Sequence, residues 1–233
     1  MAKSASISMT SPIPGNLARA GALSAALGLA ACSSGNGGGD WNQIFDLVQS
    51  SWNGKSDSIT LDQAGAIPYA SLGIRAGDGA QVLVVLGANQ NGRMLWTSAA
   101  KIAIETENGR VVRTAGFPGD SSNVDLVAAD PLVAFEQGHN EEQHASRTVD
   151  FKDIGQFGVI LNCTLSSEGT ETVDILGSNI ATRKVSEHCH SEQLDWTFDN
   201  TFWIGESGLV WKSIQYIHPK ADPLTIEVLR PAG

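Results

Sequence analysis

The chain has 233 residues, with 15 Lys and Arg against 25 Asp and Glu, a formal net charge of −10. That balance argues against nucleic acid or an anionic lipid surface as a partner, because both repel an acidic protein. Three cysteines are too few for a disulfide scaffold, and the length is enough to bury a core without a metal.

The N-terminus carries an export signal. Lys3 and Arg19 precede an apolar run from Ala20 to Ala31, which is shorter than the roughly 18 to 20 residues that span a bilayer as a helix. It ends in Leu29-Ala30-Ala31-Cys32, which resembles the lipobox of bacterial lipoproteins, where the new N-terminal cysteine is acylated. Two or more acyl chains anchor a protein stably, whereas one holds it only marginally. Residues 1–31 therefore read as a leader, Cys32 as the lipidation site and residues 32–39, rich in Gly and Ser, as a tether. Ser33 after the cysteine, by resemblance to bacterial sorting rules, points to the outer membrane. Cleavage takes two basic residues and no acidic ones, so the mature chain is more acidic still.

Residues 40–233 read as one β-rich domain. Trp41, Ile44, Phe45, Val48 and Trp52 recur at helical spacing, with Asp40 as N-cap and Gly54 as stop. From Pro68 onward the helical period gives way to short apolar runs and turns. Val82 to Leu86 is a continuous apolar run, expected of a strand buried on both faces. A second strand passes through Leu95-Trp96-Thr97. Ile102 and Ile104 alternate with polar neighbours, and Asn108-Gly109 turns the chain into Arg110 to Thr114 as a hairpin.

Residues 116–146 break that rhythm. Gly116 to Asn123 reads as loop, Leu126 to Phe135 as a short helix or strand interrupted by Pro131, and His139 to His144 as polar loop. Strands resume at Val149 and run through Phe157 to Cys163. A turn is expected at Ser167-Glu168-Gly169, then Thr172 to Leu176, a turn at Gly177-Ser178, and Ile180 to Glu187. Trp196 to Ile204, Leu209 to Ile217 and a last strand with Leu224, Ile226 and Val228 complete the chain. Turns every eight to twelve residues predict a mainly β fold, an antiparallel sandwich or barrel-like sheets, with one N-terminal helix.

With Cys32 assigned to the lipid, Cys163 and Cys189 remain in a chain bound for an oxidising compartment. A disulfide is the leading reading and two buried free thiols the other. On a strand, His188 and His190 share one face and Cys189 points to the other. Two histidines fall short of a zinc ligand set, and His139 to His144 has a gap of five where the zinc-protease helix motif needs four. No metal or cofactor is expected.

Glycoside cleavage needs two carboxyls opposed across a sugar-sized gap. Glu187, Asp195, Asp199 and Glu206 stand among tryptophans, but nothing fixes a pair, so no catalytic residue is assigned and single amide substitutions at these four should leave function intact. Trp196, Trp203 and Trp211 are candidates for contact with sugar or a partner, against the commoner role of aromatics as core.

Several segments together resemble a known family. They are Ile67-Pro68-Tyr69-Ala70-Ser71-Leu72, Leu95-Trp96, Asn108 through Gly119, Asp174 to Gly177, Glu187-His188-Cys189, Phe202-Trp203 and Gly208 through Gln215. In this order they resemble the YjbF/GfcB lipoproteins of the outer membrane, associated with group 4 capsule and exopolysaccharide production. The resemblance implies a lipid-anchored, periplasm-facing accessory of polysaccharide secretion. Its partners would be an outer-membrane β-barrel or other secretion proteins, and polysaccharide. It implies no catalytic residues. The alternative is a periplasmic polysaccharide-modifying enzyme.

Overall fold

The structure, a computed structural model, describes residues 58–126 and 129–233. The leader, Cys32, the tether and the helix expected over Trp41 to Trp52 lie outside the described residues. Twelve strands follow: β1 (Ser71–Ala76), β2 (Val82–Gln90), β3 (Arg93–Thr97), β4 (Ala103–Glu107), β5 (Arg110–Ala115), β6 (Ser122–Leu126), β7 (Gln143–Phe151), β8 (Gln156–Ile175), β9 (Ser178–Ser191), β10 (Trp196–Gly205), β11 (Val210–Gln215) and β12 (Leu224–Arg230). Two short α-helices, α1 (Leu61–Gly65) and α2 (Leu132–Glu136), and a 3₁₀ turn at Lys152–Ile154 complete the elements.

All twelve strands form one sheet, ordered β5-β4-β3-β2-β1-β12-β11-β10-β9-β8-β7-β6, and the paired neighbours run antiparallel. The order is a meander whose first and last strands pair. The ends of the sheet are β5 and β6, which are consecutive in the chain. They meet where the Thr114 amide donates to the Ser121 carbonyl at 2.9 Å and the Ser121 amide donates to Thr114 Oγ1 at 2.9 Å. The expected sandwich or barrel therefore resolves as a nearly closed barrel. Closure removes the sticky edges that an open sheet would present.

Alternation dictates what lies inside. Along β9, Val185, Glu187, Cys189 and Ser191 are buried while His188 is exposed. Phe198, Phe202 and Ile204 of β10 and Val159, Leu161, Cys163 and Leu165 of β8 join them in one core cluster. A second cluster fills the other half, with Leu72, Ile74, Val84, Trp96, Ile104, Ile226 and Val228. Val82 to Leu86 is buried on both faces for a simple reason. Val84 faces the interior, and Leu83 and Val85 are covered on the other side by Ile59, Ala64 and Ile67. A capping box between Thr60 and Gln63 starts α1 there.

The Asn108-Gly109 hairpin forms as expected, with positive φ at both residues (47° and 73°), as a primed two-residue turn requires. Three expectations are corrected. Ser167-Glu168-Gly169 does not reverse the chain: β8 runs through it as a bulge, with Gly169 at φ 97° absorbing the extra residue. Strand β7 begins at Gln143, not Val149, because its polar residues face solvent outside and an ion pair inside. Ser122 and Asn123 belong to β6 rather than to a loop.

Cys163 and Cys189 are directly opposed on β8 and β9 and joined by a disulfide, with Cα atoms 4.1 Å apart and both residues buried. Beyond the bulge, the β8–β9 hairpin packs Val173 and Ile175 on Trp203, with Trp211, Ile214 and Leu229 around them. Cys163→Ser and Cys189→Ser should each lower the stability of the protein by roughly 3 kcal/mol, the cost of releasing a loop of this size. The double variant should be no worse than either single one, because one crosslink is lost in all three. Denaturant titration checks this, and additive losses would refute it.

Candidate functional site at the barrel mouth

The connections β2–β3, β4–β5, β6–β7, β8–β9 and β10–β11 all lie at one end of an up-and-down meander. Helix α2 sits in the β6–β7 connection and closes part of that end. Its placement begins deep inside. Arg110, the first residue of β5, is 2% exposed. Its Nε donates to Asp130 Oδ2 at 2.6 Å and its Nη2 to Asp130 Oδ1 at 3.1 Å. Its Nη1 donates to Glu187 Oε2 at 3.0 Å. Arg147 of β7 also grips Glu187, from Nη1 to Oε1 at 2.8 Å and Nη2 to Oε2 at 3.2 Å. Asn200 of β10 adds a third donor at 2.6 Å.

Two guanidinium groups and two carboxylates thus cancel in charge inside the barrel. Burial alone would raise the Glu187 carboxyl, but Arg110 and Arg147 outweigh it and hold it far below the usual carboxylate range. Burial also opposes the charge on Arg110, and Glu187 and Asp130 more than restore it. Gln215 of β11 completes the interior network. Its Oε1 accepts from the Val111 amide at 2.9 Å and its Nε2 donates to the Gly109 carbonyl at 2.9 Å, so the end strand β5 has partners on its open side.

Asp130 carries this order to α2. Its Oδ1 accepts from the Leu132 amide at 2.9 Å, its carbonyl accepts from the Val133 amide at 3.1 Å, and Leu132 and Phe135 are fully buried in the core. Arg183 of β9 donates to the Phe135 carbonyl at the far end of the helix. Glu136, the last residue of α2, is delivered to the mouth. There it lines two spaces. One is a polar cleft of about 710 Å³ with Thr170, Glu171, Thr172, Arg183 and Glu206 in its wall. The other is an apolar cavity of about 280 Å³ lined by Leu72, Met94, Trp96, Leu209, Ile226 and Val228 among others.

The Glu136 carboxyl makes no hydrogen bond or ion pair among the described residues. Burial, then the nearby Asp130 charge, push it up to about 7, against a smaller opposing pull from Arg110. That places its proton exchange near neutral pH.

The residues singled out from the sequence are placed as follows. Glu187 is not in a cleft; it is a core residue locked by two arginines, so loss of its charge should be felt through stability. Glu206 lines the polar cleft, whereas Asp195 sits exposed in the β9–β10 turn. Asp199 is exposed on the outer face, where its Oδ1 is 2.7 Å from His188 Nδ1. His190 Nδ1 lies 2.9 Å from Thr197 Oγ1 on that same face, and Cys189 points inward, as alternation requires. Cys163, Glu187 and Cys189 bring groups of metal-ligand type together, but the sulfurs are bonded to each other and the carboxylate to arginine. Trp203 is buried under the hairpin at 7% exposure, and Trp211 is half-buried beside it. Trp196 stacks on Phe198 with ring centroids 4.0 Å apart.

Arg110, Asp130, Arg147 and Glu136 carry the site and escaped the sequence reading. A signal existed for one of them, Arg147, together with its partner Glu187. Alternation through Arg147, Val149 and Phe151, and through Val185, Glu187 and Cys189, puts a charge on each apolar face, and opposite charges on two inward faces suggest a pair.

Fold and interior thus define the class, a meander barrel held by a neutral buried ion cluster, with two spaces at its mouth that share Glu136 in their walls. The chain belongs to the family described as "Group 4 capsule polysaccharide lipoprotein gfcB, YjbF", whose model matches residues 44–229. It is 27% identical to the lipoprotein GfcB of Escherichia coli K12 over 213 residues, covering 89% of this chain and 95% of that protein. It is 26% identical to the lipoprotein YjbF of the same organism over 175 residues, covering 75% and 81%. The crystal structure of the hypothetical lipoprotein YmcC from Escherichia coli K12 shares the fold, with a TM-score of 0.67 at 24% identity over 84% of this chain and 98% of that one.

The raised Glu136 carboxyl has a consequence for stability. The folded state holds a proton there that the unfolded chain releases at about pH 4.5, so stability falls as pH rises from that value through about 7. Glu136→Gln removes the effect. At pH 8 the variant should be more stable than the parent by about 1 to 2 kcal/mol, after allowance for solvent screening, and at pH 4 the two should be equal. Thermal melts across that range measure it; a pH-independent difference would contradict the assignment.

Proposed function

We propose that this capsule-family lipoprotein is a lipid-anchored accessory of capsule or exopolysaccharide secretion, held at the outer membrane by acylated Cys32 and facing the periplasm. It acts by contact, with the polymer or with secretion proteins such as an outer-membrane β-barrel, and not by catalysis. The observation that carries the reading is the family match across almost the whole of residues 40–233, together with the Leu29-Ala30-Ala31-Cys32 lipobox. The interior supports it. The fully buried carboxylate Glu187 is fixed between two arginines and has no proton to exchange near neutral pH.

One observation favours a second reading, hydrolysis of a glycan. Glu136 shares its cleft with Glu171 and Glu206, and a carboxyl that titrates near 7 suits a general acid. The two readings separate in one experiment. Under the accessory reading, deleting the gene stops polymer export and Cys32→Ser impairs it by releasing the protein from the membrane. Glu206→Gln leaves both the amount and the length of the exported polymer unchanged. Export that is indifferent to deletion refutes the accessory reading; Glu206→Gln or Glu136→Gln lengthening the polymer at normal protein levels installs the enzyme.

A further inference from the structure

Glu136 is shared by two spaces, a cleft walled largely by polar and charged residues and a cavity walled largely by apolar ones. The apolar cavity reaches into the barrel between the two walls of the second core cluster. Several of its polar wall atoms are already paired. Trp96 Nε1 donates to Thr106 Oγ1 at 2.9 Å, and Ser213 Oγ accepts from Gln215 Nε2 at 2.9 Å. Apart from Glu136 and Asn108 at the rim, the side chains that face the space are mainly hydrocarbon, with half-buried Met94 and Leu209 in its wall. Methionine adapts its shape to an apolar occupant more readily than branched residues do. A barrel mouth with an apolar pocket and a few polar groups at its rim is a common place for a small ligand.

The polar cleft has the complementary chemistry. Thr170 and Thr172 offer hydroxyls and Gln137 an amide. Arg183 Nε is buried there without a partner among the described residues, while its Nη2 serves the Phe135 carbonyl. The charged groups facing Glu136 are Asp130 ahead of α2, Arg110 from β5, Glu171 from β8, Arg183 from β9 and Glu206 from the β10–β11 turn. Carboxyls outnumber guanidinium groups in the cleft wall, so a phosphate or carboxylate headgroup is repelled and a neutral polyol is not.

We propose that the barrel mouth binds a neutral glycolipid, with its alkyl chain in the apolar cavity, its saccharide head in the polar cleft and Glu136 at the junction. The inference rests on the reading of this protein as a polysaccharide-handling lipoprotein, and it names the molecular end that the site takes. Glu136, whose carboxyl has no hydrogen bond or ion pair among the described residues, makes its hydrogen bond to the first hydroxyl group of the head.

The test uses the full chain carrying Cys32→Ser, which has no acyl chain of its own to compete. The probes are dodecyl maltoside below its micelle concentration, maltose and dodecanoate, with binding read from tryptophan fluorescence and native mass spectrometry. Dodecyl maltoside should bind one molecule per chain, and maltose and dodecanoate at pH 8 should each bind at least about tenfold more weakly, because each lacks one half of the match. Leu209→Trp, which fills the cavity, and Ala181→Arg, at an exposed position in the cleft wall, should each weaken dodecyl maltoside about tenfold with unchanged melting curves. Absence of dodecyl maltoside binding overturns the inference, as do equal binding of dodecanoate and indifference to both variants. So does native mass spectrometry of the acylated wild type showing its own chain occupying the cavity. If gene deletion stops export while dodecyl maltoside fails to bind, the inference fails alone; if deletion leaves export intact, the functional reading beneath it fails.

Discussion

The structure depends on one buried carboxylate. Glu187 accepts from Arg110, Arg147 and Asn200, which stand on β5, β7 and β10, while it stands on β9 itself. Its partners therefore include strands on both sides of the seam where the sheet's ends meet. Hydrogen bonding at that seam is sparse, and Arg110 supplies the tie that backbone pairing does not. A buried ion cluster is seldom a large net source of stability, since desolvation offsets much of the attraction. Removing one member is a different matter, because it strands the others without water. The cluster is thus a device for register and closure, and its energetic weight shows only when it is broken.

The same cluster explains why the mouth has a site at all. Arg110 orients Asp130, Asp130 caps α2, and α2 inserts Leu132 and Phe135 into the core while presenting Glu136 outward. A five-residue helix has little stability of its own, so tertiary contacts must hold it. Between the arginine and the half-buried carboxyl runs a short chain of hydrogen bonds and packed side chains, and Glu136 inherits its position from it. The charge of Asp130, fixed by that chain, is also one reason the Glu136 proton is retained to near neutral pH.

Much of the fold was legible in the sequence because barrel strands with one wet face announce themselves by alternation. The Asn108-Gly109 turn, the run at Val82 to Leu86 and the final strand through Leu224, Ile226 and Val228 are read directly from that rule. The places that escaped share a physical cause. At β7 the interior position is an arginine, so polarity on both faces looks like a loop until its partner on β9 is known. At Gly169 a residue that usually ends strands instead absorbs a bulge. The site was less legible still. Aromatic content drew attention to Trp203, which the hairpin buries, whereas the candidate carboxyl, Glu136, closes a short helix of otherwise apolar residues, and only the folded mouth gives it neighbours.

Hydrogen exchange at the amides of α2 tests most directly whether the buried cluster positions the mouth. In Arg110→Met, an uncharged side chain of similar length leaves Asp130 without its partner. The account predicts that exchange at Val133 to Gln137 accelerates strongly while the β8–β9 amides around the disulfide keep their protection. Unchanged protection of α2 in a folded Arg110→Met protein would contradict it, and would mean that apolar packing alone sets the helix.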